Sequence, residues 1–572
     1  VLLAAFAALA GLAVYSFDRV GISLTALVDG YSDIRRLVDR MFPIRFDNFD
    51  RTVELAVETL FIAFLGTALA VVVSIPLAFL AARNTTMNGL AYGAVRAFIV
   101  AMRAIPDLVF ALIFVRAIGI GGVGGIISGI LAIGLHAVGM VGKLYADAIE
   151  QIDEGPRQAV VSSGATKTQS LVTGVMPQVL PAFIGVALYR LDINFRTSTI
   201  LGYVGAGGIG QLLQLYLSGL RYDRALGVTV VIVALVLAVE FLSAAARRGI
   251  LGADPYEQRR LSRRVLAAGH KATSRVLRAG GTEPGPGGAR SPGAEAAAGG
   301  DGAPPGALAF DRDKVRPPWT PQRRRAYSFG GLGLAMLVAS FAFTGVTPLD
   351  LVTSLGDIGQ VAVRLVPGDM SWYTGRIGSA MIETLAIGLA ASCIGLVLSL
   401  PLAFLAASNV APGRAVYYAA RSVVVAIRAV PELILAVIFV AALSLGPSPG
   451  VMALSIGTLG FATKLFADSI EEVRQGPRDA IAATGATRIQ ESSTGVVPQV
   501  MPALVGTSLY VLDINIRAST IVGIVGAGGI GFYLIQAIRT LEWETVGGIM
   551  AMIFIVVYGI ERLSGWMRAQ LL

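Results

Sequence analysis

Two charged constellations, each written twice, are what this chain offers for chemistry. RAIPD sets Arg103 and Asp107 around Pro106, and RAVPE sets Arg428 and Glu432 around Pro431. Further along, Asp192, Asn194 and Arg196 are followed by Ser198 and Thr199, as Asp513, Asn515 and Arg517 are followed by Ser519 and Thr520. Acid and base are spaced i, i+4 in all four places, close enough to pair on one helix. Each set lies inside an apolar run, where an ionisable side chain is costly and marks a functional site by default. In a helix each proline also leaves one carbonyl unbonded, that of Met102 or Ile427, and kinks the axis. Guanidinium and hydroxyl donors bind an anion and pass it on. Two readings stay open: self-neutralised pairs that glue helices, and the polar wall of a pathway. Arg190 answers to Val511, so a cavity lined by both halves is not fully symmetric.

Other chemistries find little support. GAGGIG at 205–210 and 526–531 has the form GxGxxG, but a dinucleotide site needs a preceding strand, and here an apolar helix precedes. These glycines read instead as close helix approach or a gate. Gly142-Lys143 is no phosphate loop, because Ala137 stands where the first glycine belongs and Leu144 where Ser or Thr belongs. His136, His270 and the lone Cys393 are scattered, so neither a metal site nor a cofactor is expected. No nucleophile sits beside a base, which leaves a membrane enzyme the weakest of the function classes.

The elements that must position the charged groups follow from composition. The chain has 572 residues, 55% hydrophobic and only 15% charged, with a mean hydropathy of +0.71. That is far too apolar for an ordinary soluble protein and predicts an all-α polytopic membrane protein. Six spans are expected per half, at about 2–15, 55–82, 90–118, 126–149, 178–202 and 225–246, then 329–343, 382–407, 415–445, 451–470, 499–523 and 545–566. The first is short against the usual ~20 residues; it is read as a span rather than a signal peptide, since no cleavage site is visible and the second half repeats it. An even count makes the halves parallel repeats, 1–246 and 326–572. Pro106 pairs with Pro431 but Pro156 with Pro477, an offset shorter by four residues, which is assigned to the glycine-rich turn after the third span.

Residues 247–325, rich in Gly, Pro, Ala and Arg, hold 16 basic against 7 acidic residues, the whole of the net charge of +9. Such a stretch reads as a disordered linker on the cytoplasmic side, its charge a topology signal or a contact with anionic lipid rather than with nucleic acid. With the linker inside, both termini and the polar stretches after the fourth spans face the cytoplasm as well.

Those polar stretches are the third repeated feature. Residues 149–181 read IEQIDEGPRQAVVSSGATKTQSLVTGVMPQVLP, and 470–502 read IEEVRQGPRDAIAATGATRIQESSTGVVPQVMP. Pro156 and Pro477 restart a helix after Gly155 and Gly476, and Gly164 and Gly485 end it. Two short helices between long apolar ones make a hairpin that protrudes into water.

This hairpin resembles the EAA loop of permeases from ATP-binding-cassette importers: Gln158-Ala159-Val160 to Gly164, and Asp479-Ala480-Ile481 to Gly485, each followed by a hydrophobic-Pro. The family's glutamate is Gln in one copy and Asp in the other. With RAxP[DE] and DIN-R-ST before GAGGIG, nearly all of both halves resembles the phosphonate-type permeases of such importers, fused in tandem. The resemblance implies two repeats of the type I importer permease fold in a bacterial cytoplasmic membrane. It implies phosphonate, phosphate or phosphite as cargo, two partner ATPases, an extracytoplasmic binding protein, and no catalysis by this chain. It assigns Gly155, Pro156, Arg157, Gln158, Ala159, Gly164, Ala165 and Thr166 to ATPase coupling, with Gly476, Pro477, Arg478, Asp479, Ala480, Gly485, Ala486 and Thr487. The charged mid-span sets, with Arg190, are assigned to the pathway. An ion-gradient-driven anion transporter is the alternative, though it gives no reason for two hairpins.

Overall fold

A computed structural model describes residues 2–21, 24–86, 88–251, 321–367 and 373–571. Backbone groups inside a membrane must find partners within their own segment, and among the described residues every regular element is helical. The first half contains α1 (Leu2–Val20), α2 (Leu24–Met41), α3 (Phe49–Ala81), α4 (Gly89–Ala104), α5 (Asp107–Ile118) and α6 (Gly122–Glu150), then α7 (Glu154–Ser162), α8 (Lys167–Ser170), α9 (Met176–Leu201), α10 (Ile209–Ser218) and α11 (Tyr222–Leu251). The second half repeats them in order as α12 (Pro321–Thr344), α13 (Pro348–Arg364), α14 (Gly378–Ala406), α15 (Arg414–Ala429), α16 (Glu432–Leu443) and α17 (Pro447–Glu471), then α18 (Gln475–Ala483), α19 (Arg488–Glu491), α20 (Val497–Ile524), α21 (Ile530–Arg539) and α22 (Trp543–Leu571). Residues 1–243 and 336–572 pack as one unit that holds both halves. Of residues 244–335 only the end of α11 and the start of α12 are described, so the linker reading lies almost wholly outside the described residues.

Nine described helices are long and apolar enough to cross a membrane, and two further candidates qualify only as bent pairs. Those pairs correct the expectation of a kinked but continuous third span. α4 and α5 meet at 90°, and α15 and α16 at 80°. A residue before proline is driven out of the helical region, and Ile105 (φ −86°, ψ 124°) and Val430 (φ −89°, ψ 119°) are both extended. Pro106 and Pro431 are extended too, so two consecutive non-helical residues turn a kink into a corner.

The four-residue offset is also placed differently. The turns 119–121 and 444–446 have equal length, whereas α6 has 29 residues and α17 has 25. Four residues are close to one turn of 3.6, so the extra turn at the start of α6 nearly preserves which face meets its neighbours.

The halves clasp each other. α1 packs on α14 of the other half, α2 on α16, α13 on α5, and α22 on α4. Phe61 of α3 packs on Phe343 of α12, with ring centroids 5.2 Å apart and the rings tilted by 56°. One buried cluster joins Ile62, Leu131 and Ile133 to Ile530, Ile549 and Ile553. Neither half therefore completes its core alone.

Candidate functional site

Three levels stack along α9 and its counterpart α20. The hairpin lies at the start of each helix, the charged groups further along, and the GAGGIG loop at its end.

At the first level, Pro156 and Pro477 fall in the first turn of α7 and α18, where a missing N–H costs no hydrogen bond. No residue of either helix is buried. Gly164 and Gly485 both take φ +83°, the left-handed conformation that reverses the chain, as expected. Thr166 and Thr487 then cap α8 and α19, each in a reciprocal capping box with Gln169 or Gln490. Arg157 and Arg478 do not reach into solvent. Arg157 donates to the Asn84 carbonyl at 2.7 Å and Arg478 to the Asn409 carbonyl at 3.0 Å, fixing each hairpin to the end of the second span. Asn84 and Asn409 in turn donate to Ile149 and Ile470 at 2.7 Å. Arg478 also pairs with Glu491 at 2.6 Å, and Arg157 more loosely with Glu154 at 3.2 Å. With both arginines turned inward, the expected coupling residues left facing outward include Gly155, Gln158, Ala159 and Gly164, with Gly476, Asp479, Ala480 and Gly485; Ala165 and Ala486 are half-buried behind them.

The second level lies about 24 Å along the 16-residue α4, at 1.5 Å per residue. Here the expected pairing within RAIPD and RAVPE is replaced. The corner after α4 carries Asp107 away from Arg103, and Arg103 pairs instead with Glu561 of α22 at 2.9 Å. Likewise Arg428 turns to Glu240 of α11, at 3.7 Å. The pairs in α9 and α20 do form within one helix, Arg196 with Asp192 at 3.7 Å and Arg517 with Asp513 at 2.9 Å. Their arginines also cross between halves. Arg196 donates to the carbonyl of Arg428 at 3.4 Å, and Arg517 to that of Arg103 at 3.3 Å. Those carbonyls end α15 and α4, where the chain has stopped being helical and the helix dipole is negative, so each guanidinium caps a half-span of the opposite repeat. The Nε groups of Arg196 and Arg517 are buried and have no partner.

The polar residues beside these arginines have another use here. Asn194 donates to Thr67 at 2.9 Å, and Asn515 to Ser392 and Thr458 at 2.9 and 2.7 Å. Ser198 donates to the Thr59 carbonyl at 3.1 Å, while Thr199, Ser519 and Thr520 bond back along their own helices. All six are fully buried. Asn194, Asn515 and Ser198 tie neighbouring helices together, the three other hydroxyls are spent within their own helices, and the arginines are left as the groups that reach between halves.

At the third level the GAGGIG loops are spent on packing. The Gly208 N–H donates to Glu58 at 2.7 Å and that of Ile209 to Thr59 at 2.8 Å; Gly529 and Ile530 repeat this with Glu383 and Thr384. A Cβ at Gly208 would stand 2.4 Å from the Thr59 hydroxyl, so close approach is what these glycines provide. Beside the loop of the first half, a cavity of about 210 Å³ opens between the halves, lined by Arg116, Tyr203, Gln214 and Arg539 among others.

Sequence reading missed Glu240 and Glu561, although both recur at the same offset in otherwise apolar last spans. It also missed Gln178 and Gln499, whose side chains accept from the N–H of Asp153 and Arg474 at 3.1 Å and so close the base of each hairpin.

Comparison with known proteins matches residues 74–251 and 399–567 to the family described as binding-protein-dependent transport system inner membrane component. The chain is 43% identical to the phosphate-import permease protein PhnE of Mycolicibacterium smegmatis, over 96% of this chain and 91% of that one. It is 41% identical to the phosphite transport system permease protein PtxC of Stutzerimonas stutzeri, over 40% of this chain and 81% of that one. Among solved structures, an inward-facing MetNI methionine ABC transporter matches 34% of this chain and 96% of its own, at 23% identity and a TM-score of 0.31.

Proposed function

The chain belongs to the family of binding-protein-dependent transport system inner membrane components, and from that premise we propose that it is the whole membrane pathway of an ATP-driven importer of phosphorus oxyanions. The family makes it a multi-pass transport subunit. The relatives named for phosphate and phosphite favour the cargo class, and the arginines reaching between the halves are the donors such an anion needs.

The observation that carries the reading is the pair of exposed hairpins, α7–α8 and α18–α19, each anchored by an arginine to the end of a second span. A rigidly seated, solvent-facing helix transmits the movement of a soluble partner to the spans behind it. Two such hairpins fit two ATPase subunits on the cytoplasmic side, with both termini on that side, while a binding protein delivers cargo at the opposite face. Alternating access then consists of remaking the contacts that cross between the halves at mid-span.

The test is reconstitution of the chain in liposomes with its ATPase and binding protein. ATP-dependent uptake of phosphate, phosphite or a phosphonate is expected. Uptake driven by an ion gradient without the ATPase would replace this reading with that of a secondary transporter.

A further inference from the structure

We propose that the permease itself seats one protonated oxyanion, in its first half only, between Arg190, His136 and Asp107. This rests on the reading of the chain as an oxyanion permease and names the seat within it. Arg190 is 5% exposed. Its Nη1 donates to the sulfur of Met140 at 3.3 Å, and its Nε has no partner. The other mid-span arginines, Arg103, Arg196, Arg428 and Arg517, each have a carboxylate. A buried guanidinium with an unpartnered Nε and a weak sulfur acceptor at Nη1 is costly unless a better acceptor arrives, and a tetrahedral oxyanion fits its fork.

Acceptors stand on the other side. His136 Nδ1 lies 3.0 Å from the Ile105 carbonyl, at the corner of the broken span. A carbonyl accepts only, so Nδ1 carries the proton and Nε2 of the neutral ring is an acceptor. Asp107 uses Oδ1 for the N–H of Leu108 at 2.8 Å, which leaves Oδ2. His136 and Met140 stand i, i+4 on one face of α6, so the corner that carries Asp107, held to His136 through Ile105, and Arg190, held to Met140, meet at the same stretch of that helix. Donors facing acceptors select an anion that has both O⁻ and O–H. Hydrogen phosphate, phosphite and phosphonate monoanions have both, and sulfate lacks the O–H.

The second half cannot repeat the seat. Val511 replaces Arg190 and Gly457 replaces His136. The longer carboxylate of Glu432 lies over Gly457, where an added Cβ would stand 2.7 Å from Glu432 Cγ.

The experiment is equilibrium binding of radiolabelled phosphate to the purified full chain in nanodiscs, without ATPase or binding protein and with sulfate as competitor. About one phosphate per chain is expected, displaced by sulfate about tenfold less well than by phosphate or worse, since a missing hydrogen-bond partner leaves buried acceptors unpaired. Arg190→Val, which installs the residue the second half already tolerates, should weaken binding by about tenfold or more, and Arg190→Lys by less. Asp107→Asn should narrow the preference over sulfate. No binding, two phosphates per chain, equal competition by sulfate, or unchanged binding in Arg190→Val would each overturn the seat. If the full complex imports phosphate with ATP while any of these holds, the seat fails and the importer reading stands. If the complex imports no phosphorus oxyanion but the chain binds phosphate as described, the seat stands and the importer reading fails.

Discussion

The two halves of this chain share a scaffold and divide the chemistry. Among the described residues every α-helix of the first half has its counterpart in the second, and the hairpin seat, the loop at the glycines and the arginine caps recur on both sides. The differences cluster around the broken span, where Asp107, His136 and Arg190 face Glu432, Gly457 and Val511. The ion pairs are unequal in the same sense: Arg517–Asp513 and Arg103–Glu561 close at 2.9 Å, Arg196–Asp192 and Arg428–Glu240 only at 3.7 Å. Repetition marks what every half needs in order to fold and to be driven. Departure from repetition marks where a single anion is handled.

The strongest way to break this comparison is at the caps. Arg517→Ala strips a partner from Asp513 and uncaps α4, and removing one member of a buried pair costs about 3–5 kcal/mol, less here because Arg517 is partly exposed. We expect uptake to be lost and the melting temperature to fall, while the ATPase still co-purifies. Arg196→Ala, with the looser pair, should do the same to a smaller degree. Equal effects would mean that the unequal distances have no functional weight.

The hairpins come next, and there the halves should respond alike. A Cβ at Gly164 or Gly485 meets nothing within 4 Å, so Gly→Val would act through backbone strain at φ +83° and through the docking surface. A left-handed conformation costs an ordinary residue about 1–2 kcal/mol, and a β-branched one more. Either variant should uncouple ATP hydrolysis from uptake while the chain inserts normally, which paired ATPase and uptake assays would read. A smaller effect is expected from neutralising the cross-half acids. Glu561→Gln should slow uptake more than Glu240→Gln, because Arg103 is held closer than Arg428. The smallest is expected from shortening residues 252–320, whose composition alone reads as a tether: uptake should stay intact as long as the remaining residues can join the halves.

How much of this was legible in the sequence follows from what repeats and what is local. The hairpin could be read residue by residue, because Pro in a first turn, Gly at a reversal and Thr before Gln three residues on are local rules. The i, i+4 pairs of α9 and α20 were legible for the same reason. The pairs of α4 and α15 were not, because a second extended residue beside each proline turned the helix through a right angle and sent Arg103 and Arg428 to partners 458 and 188 residues away in sequence. Likewise Asn194 and Ser198 have the chemistry of a pathway wall, and only packing shows them spent between helices. The four-residue offset hid inside α6 because one helical turn leaves the apolar pattern almost unchanged.

The clasp between the halves supports the proposal that one chain is the complete pathway, and the mass of the transport-competent complex tests that most directly. Native mass spectrometry of the purified complex that hydrolyses ATP on addition of loaded binding protein should give one copy of this chain with two ATPase subunits. Two copies of this chain in that complex would contradict the account.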